Sequence, residues 1–161
     1  MEIRLATAAD ASLILRFVQA LAEYEREPQA VQVTAAKLRE QLSAAVPPFE
    51  CLIAEHAGTP LGFALFFPSY STWLGRPGIW LEDLFVLPEA RRAGVGTSLL
   101  GRLGELARER NCGRLEWSVL DWNQPAIDFY ESLGAKLMEQ WRICRVEGAA
   151  LAGFAAPHKK E

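Results

Sequence analysis

Histidine is almost missing from this chain, with only His56 and His158, and the three cysteines, Cys51, Cys112 and Cys144, stand far apart. Without a tight cysteine pair or a His–Cys spacing of the ligating kind, no metal site is expected. An odd, scattered set of cysteines also gives no disulfide framework, and read as reduced thiols they place the protein in the cytoplasm. No apolar run approaches the roughly 20 residues of a membrane span. The start, Met1-Glu2-Ile3-Arg4, lacks the basic region and apolar stretch of a signal peptide. Excess positive charge is absent too: the formal net charge is −3 and the pI near 5.5. Apart from Arg91-Arg92 and Lys159-Lys160 the basic residues are dispersed, so there is no footprint for nucleic acid. Repeats, low-complexity stretches and linkers are also missing. With 161 residues, half of them hydrophobic, the chain is expected to form one domain over residues 1–153, with a loose tail over 154–161.

What is present centres on Arg91-Arg92-Ala93-Gly94-Val95-Gly96. Before it runs Ile79-Trp80-Leu81-Glu82-Asp83-Leu84-Phe85-Val86, an apolar strand candidate with two acids near its middle. After it, Val95, Leu99, Leu100, Leu103, Leu106 and Ala107 recur at helical spacing. A strand, a turn with two glycines and two arginines, and a helix together make a holder for phosphate. Glycine lets backbone N–H groups converge without interference from a Cβ, and the helix start adds partial positive charge. Guanidinium groups beside that point can pair with phosphate oxygens. A pyrophosphate is the expected ligand. Two common versions of such a turn fail on residues. The Walker pattern needs Gly-Lys-Ser/Thr, and Gly96 is followed by Thr97-Ser98. The dinucleotide fingerprint needs a third glycine where Leu99 stands, and a doubled βαβ architecture that this length scarcely supplies.

The remaining elements follow from pattern and punctuation. Glu2–Ala6 reads as a short strand, and Thr7 or Asp10 caps a helix with Ile14, Phe17, Val18, Leu21 and Tyr24 on one face, ending before Pro28. Thr34 caps a second helix through Leu42. Strands are expected over 50–55 and 61–67, joined at Ala57-Gly58-Thr59, with a loop from Tyr70 to Gly78 and a central strand over about 79–87. Leu115–Leu120 is the next strand. Asn123 caps a helix from Pro125 to Leu133 that Gly134 ends in a left-handed conformation, and a last strand covers about 138–146. The order implies a single α/β or α+β sheet of mixed direction.

The turn resembles the acetyl-CoA pyrophosphate loop, Arg/Gln-x-x-Gly-x-Gly/Ala, of the GNAT superfamily of N-acetyltransferases. The resemblance continues through Leu81-Glu82-Asp83-Leu84-Phe85-Val86, Pro88-Glu89, Glu116-Trp117, Val119-Leu120-Asp121-Trp122-Asn123-Gln124 and Phe129-Tyr130-x-x-Leu133-Gly134-Ala135, all in one order. With Ile3-Arg4, Ala8-Ala9-Asp10 and Leu21-Ala22-x-Tyr24-Glu25 it covers nearly the whole chain, and the set is similar to the diamine (polyamine) and thialysine N-acetyltransferase branch. It implies a mostly antiparallel sheet with a splayed central strand pair, about four flanking helices, acetyl-CoA as cofactor, a small amine as acceptor, and a homodimer. Arg92 and Ala93 stand where many relatives have glycine and a larger residue. Ser71 and Thr72 before Trp73 replace an acid of polyamine-specific relatives, which favours the thialysine form.

Amine acetylation by a thioester needs an anchored cofactor, a polarised carbonyl, a deprotonated amine and a protonated leaving thiolate. Anchoring falls to Arg92, Ala93, Gly94, Val95, Gly96 and Thr97, helped by Arg91. The resemblance alone assigns the backbone of Leu84, Phe85 and Val86 to the pantetheine arm and carbonyl, through a bulge that composition does not reveal. It also brings Asn123, Pro125 and Ala126 to the cofactor arm. Tyr130 is the candidate acid: a phenol's pKa near 10 is close enough to a thiol's roughly 8.5 to supply its proton. The competing reading is a core tyrosine on an amphipathic helix.

Glu82 and Asp83, adjacent on a strand, are expected on opposite faces, and neither can be buried without a partner. The family assigns Glu82's position to substrate amine binding and water-mediated deprotonation. Tyr24, Glu25, Trp73, Asp83, Glu116, Glu139 and Trp141 match positions lining the amine groove, where acids would attract a cation and Trp141 could face it. Taken singly, each acid reads first as a solvated surface group; the groove reading rests on the set. A non-catalytic acyl-CoA-binding module of the same fold is the alternative from another functional class; the presence of both Tyr130 and Glu82 speaks against it.

Overall fold

The computed structural model describes residues 1–154, and these fall into two compact units, Met1–Ser118 and Val119 onward. The first unit holds β1 (Glu2–Leu5), α1 (Ala11–Tyr24), α2 (Ala35–Leu42), β2 (Glu50–His56), β3 (Thr59–Ser71), β4 (Arg76–Val86), α3 (Val95–Glu109) and β5 (Leu115–Trp117). They form one five-stranded sheet in the order β1-β2-β3-β4-β5. Neighbours are antiparallel except β5, which runs parallel to β4. The single sheet of mixed direction expected from the element order is what forms, and it is mostly antiparallel, as the resemblance implies.

Helix boundaries follow local chemistry. The Thr34 hydroxyl accepts from Lys37 N–H at 3.2 Å and starts α2. At the chain's beginning Thr7 and Asp10 close a reciprocal capping box around the short turn that precedes α1. Asp10 also takes a forked ion pair from Arg4, at 2.8 and 2.9 Å, which ties β1 to the helix entry. That hydrogen-bonded pairing holds the Asp10 carboxyl at about 2, below its ordinary range.

One sheet face carries Cys51, Ile53, Phe63, Leu65 and Phe85, which join Ala11, Ile14 and Phe17 of α1 and Leu38 of α2 in a single core. Phe17 stacks on Phe63 with ring centres 5.3 Å apart. Fully burying a side chain of this size is worth roughly 1.5–3 kcal/mol. The other face carries Leu52, Ala64, Phe66, Ile79 and Leu81, all buried. The Arg110 guanidinium beyond the end of α3 lies 5.8 Å from the Phe66 ring centre, which assigns this face to α3.

Strands β3 and β4 run further than their composition suggests, and the expected Tyr70–Gly78 loop shrinks to a tip at residues 72–75. Pairing continues through Ser69↔Gly78 and Tyr70↔Pro77. Gly78 permits this, because a Cβ there would stand 2.7 Å from the Ser69 hydroxyl.

The second unit contains α4 (Gln124–Ser132) and α5 (Gly148–Phe154). Gly134, at φ +89°, ends α4 in the expected left-handed conformation. Two expectations need correction. Residues 138–146 form no strand, because backbone pairing needs a partner strand and the second unit has none among its described residues. The Asn123 side chain does not close the α4 cap: its backbone carbonyl accepts from Ala126 and Ile127 N–H instead, each at 3.0 Å. Helix α5 was not anticipated, and the expected loose tail, apart from Phe154, lies outside the described residues.

Candidate active site

Pairing between β3 and β4 shifts by one residue in the middle of β4. Leu65 faces Asp83 and Phe66 faces Leu81, so Glu82 is an extra residue, a β-bulge. Directly opposed residues share a face, and the bulge therefore resets the alternation. Ile79 and Leu81 lie on the α3 side with Pro68 and Phe66, whereas Asp83 and Phe85 lie on the α1 side with Leu65 and Phe63.

The expected opposition of Glu82 and Asp83 does not hold at this point. Trp80, opposite Phe67 and so on the α1 side, donates its indole N–H to the exposed Glu82 carboxylate at 2.9 Å. Asp83, half-buried, is pushed up to about 7, chiefly by burial and further by the neighbouring carboxylates of Glu82 and Glu25. Glu25, just beyond the last turn of α1, is raised by burial as well. Glu82 and Glu25 thus both act on Asp83, and a positive charge at this side of the sheet would offset that crowding of carboxylates.

The same strand has an open edge. β5 pairs only with Ile79, Trp80 and Leu81, and β4 runs five residues beyond that register, through Val86. Leu87 N–H bonds Leu61 C=O on β3 at 2.9 Å. Both backbone groups of a strand residue point to the same neighbour and alternate along the chain. Leu84 and Val86 therefore direct theirs away from β3, past the end of β5. An extended polar chain can pair there as a strand would.

At the end of β4 the turn has the conformation its glycines predict. Gly94, at φ +79°, precedes α3, and a Cβ on it would meet nothing within 4 Å, so only its left-handed backbone resists substitution. Arg92 also adopts positive φ, +64°, a conformation glycine accepts far more readily. The N–H groups of Val95, Gly96 and Thr97 open α3, where no preceding turn supplies acceptors. This cradle suits an anion carried on an extended arm.

Arg91 is not turned outward beside Arg92. Its Nε–H donates to the Val86 carbonyl at 3.1 Å, and its guanidinium lies 4.9 Å from the Tyr24 ring centre and 5.7 Å from that of Phe85. The partnerships of Arg91 with Tyr24 and of Trp80 with Glu82 were not anticipated. A tryptophan two residues from an acid on one strand was the available signal for the second; nothing local signals the first. Glu116 forms an ion pair with Arg114 Nε at 2.6 Å and stands beside Trp80 across the β4–β5 pair. Trp73, 88% exposed, sits at the β3–β4 hairpin tip. From the start of β4 at Arg76, Glu82 is six residues on, about 20 Å of strand.

In the second unit, Asn123, Ala126 and Tyr130 fall at i, i+3 and i+7, one stripe of α4 that also carries buried Ile127. Pro125 lies in the first turn, and Asn123 is buried. The Tyr130 ring contacts Phe129 with centres 5.4 Å apart. Glu139 and Trp141 are exposed, next to a turn in which Trp141 N–H bonds Met138 C=O at 2.9 Å.

The model of the Acetyltransferase (GNAT) family matches residues 15–135. The thialysine N-epsilon-acetyltransferase of Bos taurus is 38% identical over 164 residues, covering 95% of this chain and 96% of that protein. The Caenorhabditis elegans protein of the same name is 39% identical over 158 residues, covering 96% of each. Among solved structures, an integron cassette protein from the V. cholerae mobile metagenome superposes with a TM-score of 0.79 at 28% identity, covering 96% of each chain. The glycine turn, the bulged and open-edged strand and these similarities agree: the chain is an N-acetyltransferase and belongs to the GNAT family.

Proposed function

We propose that the enzyme transfers the acetyl group of acetyl-CoA to a primary amine of a small cationic molecule, a thialysine-like amino acid, a diamine or a polyamine, by direct attack with both substrates bound. The observation that carries this reading is the bulge at Glu82. It sets Asp83 on the α1 side, where Glu25 and Glu82 both act on it, beside a strand whose edge is open.

The residues fit the cofactor. The left-handed Gly94 and the N–H groups opening α3 suit a pyrophosphate, with the Arg92 guanidinium adjoining in sequence. The outward backbone groups of Leu84 and Val86 suit an amide-bearing arm, and a backbone N–H of this stretch, Leu84 to Val86, polarises the reacting carbonyl. Asn123, Pro125 and Ala126 at the start of α4 are assigned to the same arm. When bound, the cofactor supplies an acetyl thioester and a thiolate leaving group.

An ammonium must lose a proton before it can attack. Carboxylates attract it but also favour its charged form. A neighbouring acid titrating near neutrality relieves that conflict, since it can accept the proton at working pH. Glu82 receives the amine and, with ordered water and Asp83, removes its proton. Tyr130 protonates the departing thiolate. Tyr24, Glu25, Glu116, Glu139 and Trp141 are the further groups assigned to the acceptor, whereas Trp73, at the β3–β4 hairpin tip, stands apart from Glu82. A single catalytic domain over residues 1–153, cytoplasmic and homodimeric, completes the reading.

A thiol-release screen with acetyl-CoA over diamines, polyamines, thialysine, lysine and aminoglycosides tests it. Turnover is expected with thialysine or a short diamine. Release with none of the amines, from protein that still binds coenzyme A, would overturn the proposal.

A further inference from the structure

The two arginines of the glycine turn read as a matched pair beside a phosphate, yet their surroundings differ. Arg92 follows the turn's left-handed backbone. Arg91 is folded back onto the sheet, where it makes three contacts with two elements of the first unit, β4 and α1. Its Nε–H holds the Val86 carbonyl, a group on the open side of β4; its guanidinium covers Tyr24, the last residue of α1; and it reaches the ring of Phe85. A planar guanidinium can stack on a ring and donate a hydrogen bond in its own plane at once, which an ammonium cannot. Tyr24 directly precedes Glu25, whose carboxylate acts on Asp83. One side chain thus joins the end of the open edge to the helix end that carries the acid facing the bulge.

We propose that Arg91 is a positioning residue of the acceptor side rather than a ligand of the pyrophosphate: bound to Val86 and stacked on Tyr24, it fixes the separation of α1's last turn from the open edge of β4 and thereby selects which amines fit. This rests on the proposed amine acetylation. Removing the contact takes away one tether between Tyr24 and the strand, which loosens the amine's surroundings and leaves the backbone cradle at Gly94 in place.

The experiment compares the full-length wild type with Arg91→Met, Arg91→Lys, Tyr24→Leu and the Arg91→Met/Tyr24→Leu double variant. Coenzyme A affinity is measured by calorimetry without amine, and kcat and KM by thiol release with thialysine and 1,3-diaminopropane. Arg91→Met is expected to keep coenzyme A affinity within about threefold while raising the amine KM about tenfold, with a smaller fall in kcat. Tyr24→Leu should raise KM similarly, and the double variant should be no worse than the worse single one, because the two residues act through one contact. Arg91→Lys, which keeps a cation for the ring but not the fork, should recover part of the loss.

A coenzyme A affinity weakened about tenfold or more in Arg91→Met, with the amine KM unchanged, would make Arg91 a phosphate ligand and overturn the inference. Multiplicative losses in the double variant would overturn it as well. If Arg91→Met does not melt cooperatively, the same two measurements on Arg91→Lys decide between the two roles in the same way. A wild type that binds coenzyme A but acetylates no amine would defeat the functional reading itself, an outcome separate from either of these.

Discussion

Asp83 is the carboxylate whose chemistry departs furthest from its type. Its folded value is raised to about 7 against an ordinary 3.8, because burial and two nearby carboxylates disfavour its charge. An acid raised on folding opposes the folded state once ionised. From about pH 4 to pH 7 the unfolded chain releases this proton while the native protein keeps it, so stability falls as pH rises through that window. Asp83→Asn should flatten this limb, which urea midpoints at several pH values would reveal; an unchanged slope would place Asp83 in water. Asp10 acts with the opposite sign. Held at about 2 by Arg4, it adds stability above its ordinary range and loses it as pH falls toward 2. Tyr130 is tested by deleting one oxygen. As the thiolate's acid it should contribute a factor of about 10²–10⁴ in kcat, so Tyr130→Phe should lose that much turnover with coenzyme A affinity unchanged. Wild-type turnover would leave it a packing residue.

At the scale of elements, the strand–turn–helix unit invites a charge test. Gly94→Asp puts a carboxylate and a strained backbone where the anion belongs, and should abolish the thermal shift given by coenzyme A in a protein that still folds. An unaltered shift would move the cofactor elsewhere. This unit was readable in advance because its information is local: glycines at fixed offsets, apolar residues of α3 at helical spacing, and end signals such as Thr34 and Gly134. The bulge was not readable. Ile79, Leu81 and Phe85 share one parity along the strand, broken only by Asp83, which looks like one buried face, yet the structure divides them between two cores. Both faces of β4 are covered, so both want apolar residues, and composition cannot show where the register slips. Residues 138–146 failed for a related reason. Met138, Trp141 and Ile143 belong to a stretch of strand-like composition, but a strand exists only with a partner. Arg91 followed the phosphate logic of its turn because its tertiary partner, Tyr24, lies 67 positions away in sequence.

The whole molecule leaves Met138, Trp141 and Ile143 at 65%, 68% and 69% exposure, with Leu151 and Phe154 also exposed. A second copy of the chain is the expected cover for this apolar segment. Sedimentation at micromolar concentration should give twice the 17.9 kDa chain mass, and Ile143→Glu should shift it toward one; a monomeric wild type would refute this. The bulge has a further consequence, seen when the chain is treated as a coded string open to deletions. Removing Glu82 leaves Leu81 followed by Asp83, and these already lie on opposite sides, so every remaining side chain of β4 keeps its present core. The deletion variant should fold with a regular strand and a cooperative melt, yet release no thiol from acetyl-CoA. The codon on which the chemistry depends would then be one that the fold can do without.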